Sequence, residues 1–351
     1  FVFGTHNLSL VPSLIQLRKN GAPPQVAVNY REDWEELPLG FADPDPAQPG
    51  KGNHVTAFIS ISRGCNKSCT YCIVPTTRGP EVSRDIAEIE REVRIAVHRG
   101  SREIVLLGQT VNSYGLDLSP RVSFVRLLDR ISAIDGVERI RFTSPHPQEV
   151  RQDFIDCVST NPKVCRHIHM PLQSGSDRIL KLMNRNYRRS KYLKIIVGLK
   201  ARVPDIAITT DFIVGFPGET EEDFQQSLEM MDIVQFDMSY SFAFSPRPGT
   251  PAALMTELIT QEEKFHRLHL LQAKQEKIMA DRLGLWVGKT VDVLVDSPNR
   301  LDEACFQGRI SQNYVVGFSA PHEGVSLGAI VPTTITAQKR YTLCGEPSLV
   351  R

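Results

Sequence analysis

The sequence predicts an α/β protein in two parts, a partial (βα)6 TIM-like barrel followed by a small all-β, OB-like barrel. From Val55 onward, short apolar runs alternate six times with amphipathic helical stretches, which is the signature of parallel βα units. Beyond Gly284 the texture changes to short alternating runs with glycine turns, the signature of a small closed sheet. A long amphipathic helix, Thr260 to Leu283, separates the two.

The predicted barrel strands are Val55 to Ile61, Glu103 to Leu107, Glu138 to Thr143, His167 to Leu172, Ile206 to Phe212 and Met238 to Phe244. The helices between them carry their own punctuation. Asp85 to Arg99 places Ile86, Ile89, Val93 and Ala96 on one face and stops at Gly100. Helices follow at Ser123 to Ile134 and at Gln148 to Ser159, and Glu221 to Val234 begins after Thr220 with acid in its first turn, a capping sequence. The C-terminal strands read as Thr290 to Val295, Cys305 to Ile310, Tyr314 to Phe318, Ala329 to Ala337 and Lys339 to Leu343. Upstream, Asn7 to Lys19 reads as a helix, and the proline-punctuated stretch after Gly21 reads as a linker. The expected boundaries are therefore 1–20, a linker 21–53, a catalytic domain 54–284 and a terminal barrel 285–351.

Composition bounds the chemistry. With 41% hydrophobic and 23% charged residues, and no apolar stretch as long as a membrane span, the chain reads as a globular cytoplasmic protein. Cys157, Cys165, Cys305 and Cys344 are scattered without a disulfide framework, which fits a reducing compartment.

The other three cysteines are concentrated in Cys65-Asn66-Lys67-Ser68-Cys69-Thr70-Tyr71-Cys72. This spacing brings three thiolates to one site. Structural zinc normally takes four Cys or His ligands, whereas an iron–sulfur cluster on three cysteines leaves one iron open to a small molecule. A zinc knuckle completed from elsewhere, or a cluster of buried thiols, is the alternative. In TIM-like barrels the chemistry sits at the C-terminal ends of the strands. Here those ends carry the cysteine loop, Gly108-Gln109, Ser144 to Pro147, Gln173 to Ser176, Gly215 to Gly218 and Ser245 to Thr250. His146, His167 and His169 read as hydrogen-bonded histidines in preference to metal ligands.

Net charge is +1, so the global field is no argument for nucleic acid. Local patterning is: Arg178 to Arg202 holds nine basic residues and no acidic one, and Arg185, Arg188 and Arg189 are its candidate RNA contacts. The terminal barrel is charge-balanced and would bind RNA by shape and stacking.

The runs RGCNKSCTYCIVPTTRG (Arg63 to Gly79), LLGQTVNSYG (Leu106 to Gly115), HMPLQSGSDRILKLMNR (His169 to Arg185), TDFIVGFPGETEEDF (Thr210 to Phe224) and FSPRPGTPAA (Phe244 to Ala253) resemble those of the radical S-adenosylmethionine (SAM) methylthiotransferases. The loop after Gly108 looks closest to the branch that acts on N(6)-dimethylallyladenosine in tRNA, and the terminal barrel resembles the RNA-binding TRAM domain. The resemblance implies a radical SAM barrel in which Cys65, Cys69 and Cys72 hold a 4Fe-4S cluster. Its open iron would chelate SAM, whose reductive cleavage yields a 5′-deoxyadenosyl radical. It further implies Tyr71 by the adenine of SAM, Gly108 and Gln109 by the methionine end, Ser174 by the ribose, and close backbone approach at Gly215. Partners implied are tRNA carrying isopentenyladenosine and an electron donor such as flavodoxin or ferredoxin, with the chain monomeric. The family also has an N-terminal domain whose three further cysteines hold a second 4Fe-4S cluster. Phe3 to Asn7 resembles the tail of that domain, those cysteines are absent here, and the sequence reads as a piece of a longer protein. Sister activities on threonylcarbamoyladenosine in tRNA or on a ribosomal protein, and a non-enzymatic RNA-binding metalloprotein, are the rival readings. Anaerobic purification separates the last: brown protein with iron and sulfide marks the enzyme.

Overall fold

The computed structural model describes residues 1–29, 55–256, 259–298, 305–319 and 325–348. Six parallel strands form the first part: β1 Thr56–Ser60, β2 Glu103–Leu107, β3 Arg139–Phe142, β4 His167–His169, β5 Ala207–Val214 and β6 Met238–Ala243. They lie side by side in sequence order, as β1-β2-β3 and β4-β5-β6. A parallel bridge between Ile140 and Val164 joins the halves, where Ile140 N donates to Lys163 O at 2.7 Å and Cys165 N to Ile140 O at 2.9 Å. Among the described residues β1 and β6 do not pair, so the barrel stays open on that flank.

The helices cover the outside. They are α1 Ile86–His98, α2 Phe124–Ser132, α3 Gln152–Thr160, α4 Asp177–Leu182, α5 Arg189–Arg202, α6 Glu221–Val234 and α7 Gln261–Gly284. Their starts are chemically marked: Asp85 accepts from Ala87 N, Ser123 from Arg126 N, and Thr220 and Asp223 form a reciprocal capping box. Strand parity divides the barrel's two faces. Ala57, Ile59 and Ile61 bury against Ile89, Val93 and Ala96 of α1, so Phe58 on the opposite face, aligned with Val105 and Arg141, points to the barrel interior.

The terminal barrel is closed. Its strands β7 Thr290–Pro298, β8 Cys305–Arg309, β9 Val315–Ser319, β10 Ile330–Gln338 and β11 Leu343–Pro347 run in the order β7-β8-β9-β11-β10, with β9 and β11 parallel. Met279, Leu283 and Trp286, at and just beyond the end of α7, enter its core beside Val293, Ile310, Val316 and Ile335, so one helix belongs to both parts.

This barrel sits under the N-terminal ends of the catalytic strands. Arg139 donates to the carbonyls of Arg309 and Asp292, and Arg141 donates to Ile310 O (2.8 Å), Ser311 O (2.9 Å) and the Glu103 carboxylate (2.7 Å). Asp237 gathers Ile208 N, Arg282 and the Tyr314 hydroxyl. Each of these contacts meets a buried or half-buried polar group at the floor of the open barrel, which water would otherwise have to satisfy.

Three expectations change. The last strand begins at Leu343, because Lys339 to Thr342 makes the reversal that lets β11 return antiparallel to β10, with Lys339 N bonded to Thr342 O. The helix expected from Gln148 starts at Gln152, since Pro147–Glu149 forms a separate 3-10 turn. Val26–Ala27, expected within the linker, pairs in parallel with Val2–Phe3, and residues 30–53 of that linker lie outside the described residues.

Replacing Arg141 with leucine leaves the buried Glu103 carboxylate without its cation. The expected outcome is a loss of about 3–5 kcal/mol in thermal or denaturant unfolding, together with faster proteolysis at the α7–β7 junction, read by mass spectrometry of the fragments.

Candidate active site

The rim above the strands collects unusual backbone. Gly64, Ser144, Gln173 and Gly215 all have positive φ (72°, 42°, 73° and 69°), and each lies within a few residues of a barrel strand's C-terminal end. Two are not glycine, and such strain persists only where the surroundings over-determine it. Gly64 has a plain cause: a Cβ there would stand 1.9 Å from Pro80 O, because the chain doubles back in a short ladder of Ser62–Arg63 with Val82–Ser83.

The cysteine loop hangs from that ladder and is held by distant parts of the chain. Cys65 N donates to Gly79 O, Cys72 N to Cys69 O, and Thr70 N and Oγ1 to Met183 O and Leu182 O at the end of α4. Asn184, itself left-handed at φ 55°, donates from its amide to Ser68 O and Oγ at 2.8 Å, and Ala252 N donates to Thr70 O. Cys65, Cys69 and Cys72 are reduced and half-exposed, and the other two raise the Cys72 thiol in addition to the larger effect of burial. Among the described residues no group of three or more His, Cys, Asp or Glu is gathered tightly enough for a single metal ion. One tetrahedral zinc would hold its sulfurs about 3.8 Å apart, whereas a multi-iron cluster spreads its thiolates because each binds a different iron.

Donors are already aimed at two of the sulfurs. Lys67 N lies 3.4 Å and Thr110 Oγ1 3.7 Å from Cys65 Sγ, and Arg185 Nη1 lies 3.6 Å from Cys69 Sγ. Tyr71 packs against the buried cluster of Ile179, Met183, Phe216, Phe244 and Ala252 near the ends of α4, β5 and β6. Gly108 lies against Ser62, whose Oγ would be 2.7 Å from a Cβ, and the buried Gln109 Oε1 has no partner among the described residues.

The remaining site expectations fare differently. Ser174 is fully buried and its Oγ accepts from Ser176 N. At Gly215 the close approach is made by the Lys264 stem, 2.4 Å from where a Cβ would be, and Gly215 N donates to Glu219 Oε2. Arg185 is 8% exposed and belongs to the cysteine loop; a buried guanidinium cannot neutralise RNA phosphates. Arg188 is exposed, while Arg189 is ion-paired with Glu229 at 3.2 Å.

Sequence reasoning gave no role to three contributors to the rim, Thr110, Asn112 and Glu81, whereas it read His146 there as a hydrogen-bonded histidine. Thr110 follows Gly108-Gln109 directly and meets Cys65 across the rim. Asn112 exchanges hydrogen bonds with the backbone of His146, tying two rim loops together. His146 is held neutral, pushed down to about 2 by burial and by Arg185, Lys67 and Lys191. Glu81, whose backbone N bonds Asn66, buries a carboxyl oxygen without a partner.

The interior below the rim is unusually open for a barrel. Phe58 (63% exposed), Tyr240 (53%) and Phe242 (55%) all point inward. On the same wall as Tyr240, His169 Nε2 lies 3.4 Å from Asp211 Oδ1 and its Nδ1 3.0 Å from Thr209 Oγ1, with its ring edge-on to Tyr240. Aromatic faces beside a hydrogen-bonding pair suit a flat ligand with ring nitrogens.

Burial, with Asp117 second, raises the Glu81 carboxyl from its ordinary 4.5 to about 7. Between those values the folded chain holds a proton that the unfolded chain has lost, so Glu81 erodes stability as pH rises through that window. Glu81→Gln removes this cost. Its melting temperature is therefore expected to gain on the parent's between pH 4.5 and 7 and to keep a constant lead above, as thermal melts across pH will show.

The sequence model of the radical SAM superfamily matches residues 59–231. The tRNA-2-methylthio-N(6)-dimethylallyladenosine synthase of Alkaliphilus oremlandii (strain OhILAs) is 42% identical over 98% of this chain and 71% of its own length. Those of Geobacter metallireducens and Geotalea uraniireducens are 43% and 44% identical, each over 98% of this chain and 76% of its own length. Among solved structures, coproporphyrinogen III oxidase from Escherichia coli, a radical SAM enzyme, aligns with a TM-score of 0.49 at 14% identity, over 75% of this chain and 68% of that one. With relatives 42–44% identical along nearly its whole length, the chain belongs to the radical SAM superfamily and, within it, to the family of the tRNA-2-methylthio-N(6)-dimethylallyladenosine synthases.

Proposed function

We propose that this chain is a radical SAM tRNA methylthiotransferase, adding a methylthio group to carbon 2 of N(6)-dimethylallyladenosine next to the anticodon. The observation that carries this reading is the identity to synthases of that name over 98% of the chain, with all three motif cysteines on one rim loop. The family implies a 4Fe-4S cluster and SAM, and the rim fits both. It offers three thiols with N–H or O–H groups directed at two of them, and the unpartnered buried Gln109 Oε1 nearby. Cys65, Cys69 and Cys72 would hold the cluster, with Tyr71, Gly108 and Gln109 beside SAM. When bound, the pair supplies reductive cleavage of a carbon–sulfur bond and removal of an unactivated hydrogen.

The chain's own work is positioning and exclusion of water. Tyr71, packed against the cluster that contains Phe216 and Phe244, anchors the cysteine loop to the apolar layer beside it. Tyr240, Phe242 and Phe58 would stack on the base and its branched apolar substituent, while the His169–Asp211 pair would meet the ring nitrogens. The terminal barrel is read as an RNA-binding TRAM domain. A cleft of about 520 Å³ bordered by Arg178, Lys181, Asn184 and Arg188, beside the cysteine loop, offers cations to the RNA backbone.

The test is mass spectrometry of nucleosides from tRNA bearing N(6)-dimethylallyladenosine, incubated anaerobically with reconstituted protein, SAM and reduced flavodoxin. The sequence lacks a second group of three cysteines, so this chain is expected to release 5′-deoxyadenosine, dependent on each of Cys65, Cys69 and Cys72. The methylthio product is expected only when the second cluster's ligands are restored. Product made without them would overturn that part, and 5′-deoxyadenosine formation surviving Cys69→Ala would overturn the whole.

The RNA surface has a separate measurement. Replacing Arg188 and Arg189 with glutamine is expected to weaken tRNA binding and to flatten the slope of log affinity against log salt by about 0.7–0.9 per lost phosphate contact. An unchanged slope would assign both to a solvated face.

A further inference from the structure

Arg185 stands in the middle of the basic run and yet is buried within the molecule. Its Nε donates to the Tyr187 hydroxyl at 3.0 Å, its Nη2 to Pro171 O at 3.0 Å, and its Nη1 points at Cys69 Sγ at 3.6 Å, with the guanidinium 5.0 Å over the Tyr187 ring. Tyr187 is itself fixed, donating to Leu172 O at 2.9 Å, and the Arg185 backbone N is bonded to Leu180 O. The guanidinium therefore sits between the loop after β4 and the cysteine loop, with little freedom.

Its charge lacks an ordinary counterion. The salt bridges found among the described residues pair Arg178, Arg189 and Arg202 of the same run with carboxylates, and Arg185 with none. A buried cation without an anion is costly, so a partner must be supplied. The one group in contact that can become an anion at neutral pH is the Cys69 sulfur, which does so as a cluster ligand.

From this arrangement we infer that Arg185 is a positioning residue for the cluster: its guanidinium holds the Cys69 thiolate in place and makes a cluster bound there easier to reduce. The inference rests on Cys69 being a cluster ligand, as proposed above. One electron added to a cluster that already carries three thiolates increases the local negative charge, and a fixed cation in a site little screened by water stabilises that charge. The planar fork of arginine suits the task because it reaches sulfur, carbonyl and hydroxyl at once, which the single point charge of lysine cannot do.

The experiment compares reconstituted parent, Arg185→Gln, Arg185→Lys and the exposed control Lys194→Gln. It measures iron and sulfide content, the electron paramagnetic resonance spectrum after dithionite reduction, and the midpoint potential by anaerobic redox titration. Arg185→Gln with parental iron is expected to shift to a more negative potential with an altered spectrum. Arg185→Lys should fall between it and the parent, and Lys194→Gln should match the parent. Parental potential and spectrum in an iron-loaded Arg185→Gln would overturn the inference. If that variant loads no iron, Arg185→Lys decides: a negative shift supports the role, and parental values overturn it. Separately, a cluster retained with parental spectrum in Cys69→Ala would remove the ligand assignment itself.

Discussion

The six parallel strands do not close on themselves among the described residues, and much of this molecule answers that openness. An eight-stranded barrel fills its own interior with layered side chains. Here β1 and β6 never meet among the described residues, which leaves the interior open at the flank and the strand starts open at the floor. The floor is handled by polar chemistry. Arg139 and Arg141 send their guanidinium groups down onto main-chain carbonyls of the terminal barrel, and Asp237 ties β5, α7 and Tyr314 to one carboxylate. The flank is left with exposed aromatic side chains, which gives a flat substrate somewhere to go.

The rim works by the opposite logic, with many weak constraints converging on one loop. A loop carrying three thiols cannot rely on its own short sequence for rigidity, since nothing regular pairs its backbone. The end of α4, Asn184 and Ala252 supply the missing partners from far along the chain. Damage to α4 would therefore register at the cysteines without touching them. Gln173, at a strand end with positive φ, fits the same picture: its N donates to Asp211 O and its O accepts from Ile213 N, both on β5.

Arg185 shows how a charge pattern can mislead. The absence of acid from Arg178 to Arg202 reads as an anion-facing surface, but α4 ends at Leu182 and α5 begins at Arg189, and the turn between them drives Arg185 inward. Arg188, three residues on, stays outside. Likewise Gly215 suggests room for a ligand, whereas its neighbour is the Lys264 stem from α7, about fifty positions away in sequence.

Local information determined a great deal. Apolar periodicity located all six barrel strands to within a few residues, cap residues marked the helix starts, and the cysteine spacing named the chemistry, because each of these signals is written within a few consecutive residues. The last terminal strand slipped by four residues, since Lys339 to Leu343 alternates well enough to be a strand and only antiparallel pairing with β10 demands a turn there. Tertiary structure alone decided which groups meet across long loops: Thr110 with Cys65, Arg185 with Cys69, Arg141 with Ile310, His169 with Asp211. Those contacts arise from strand register and helix packing summed over the whole barrel, and no window of neighbouring residues contains the distances that set them.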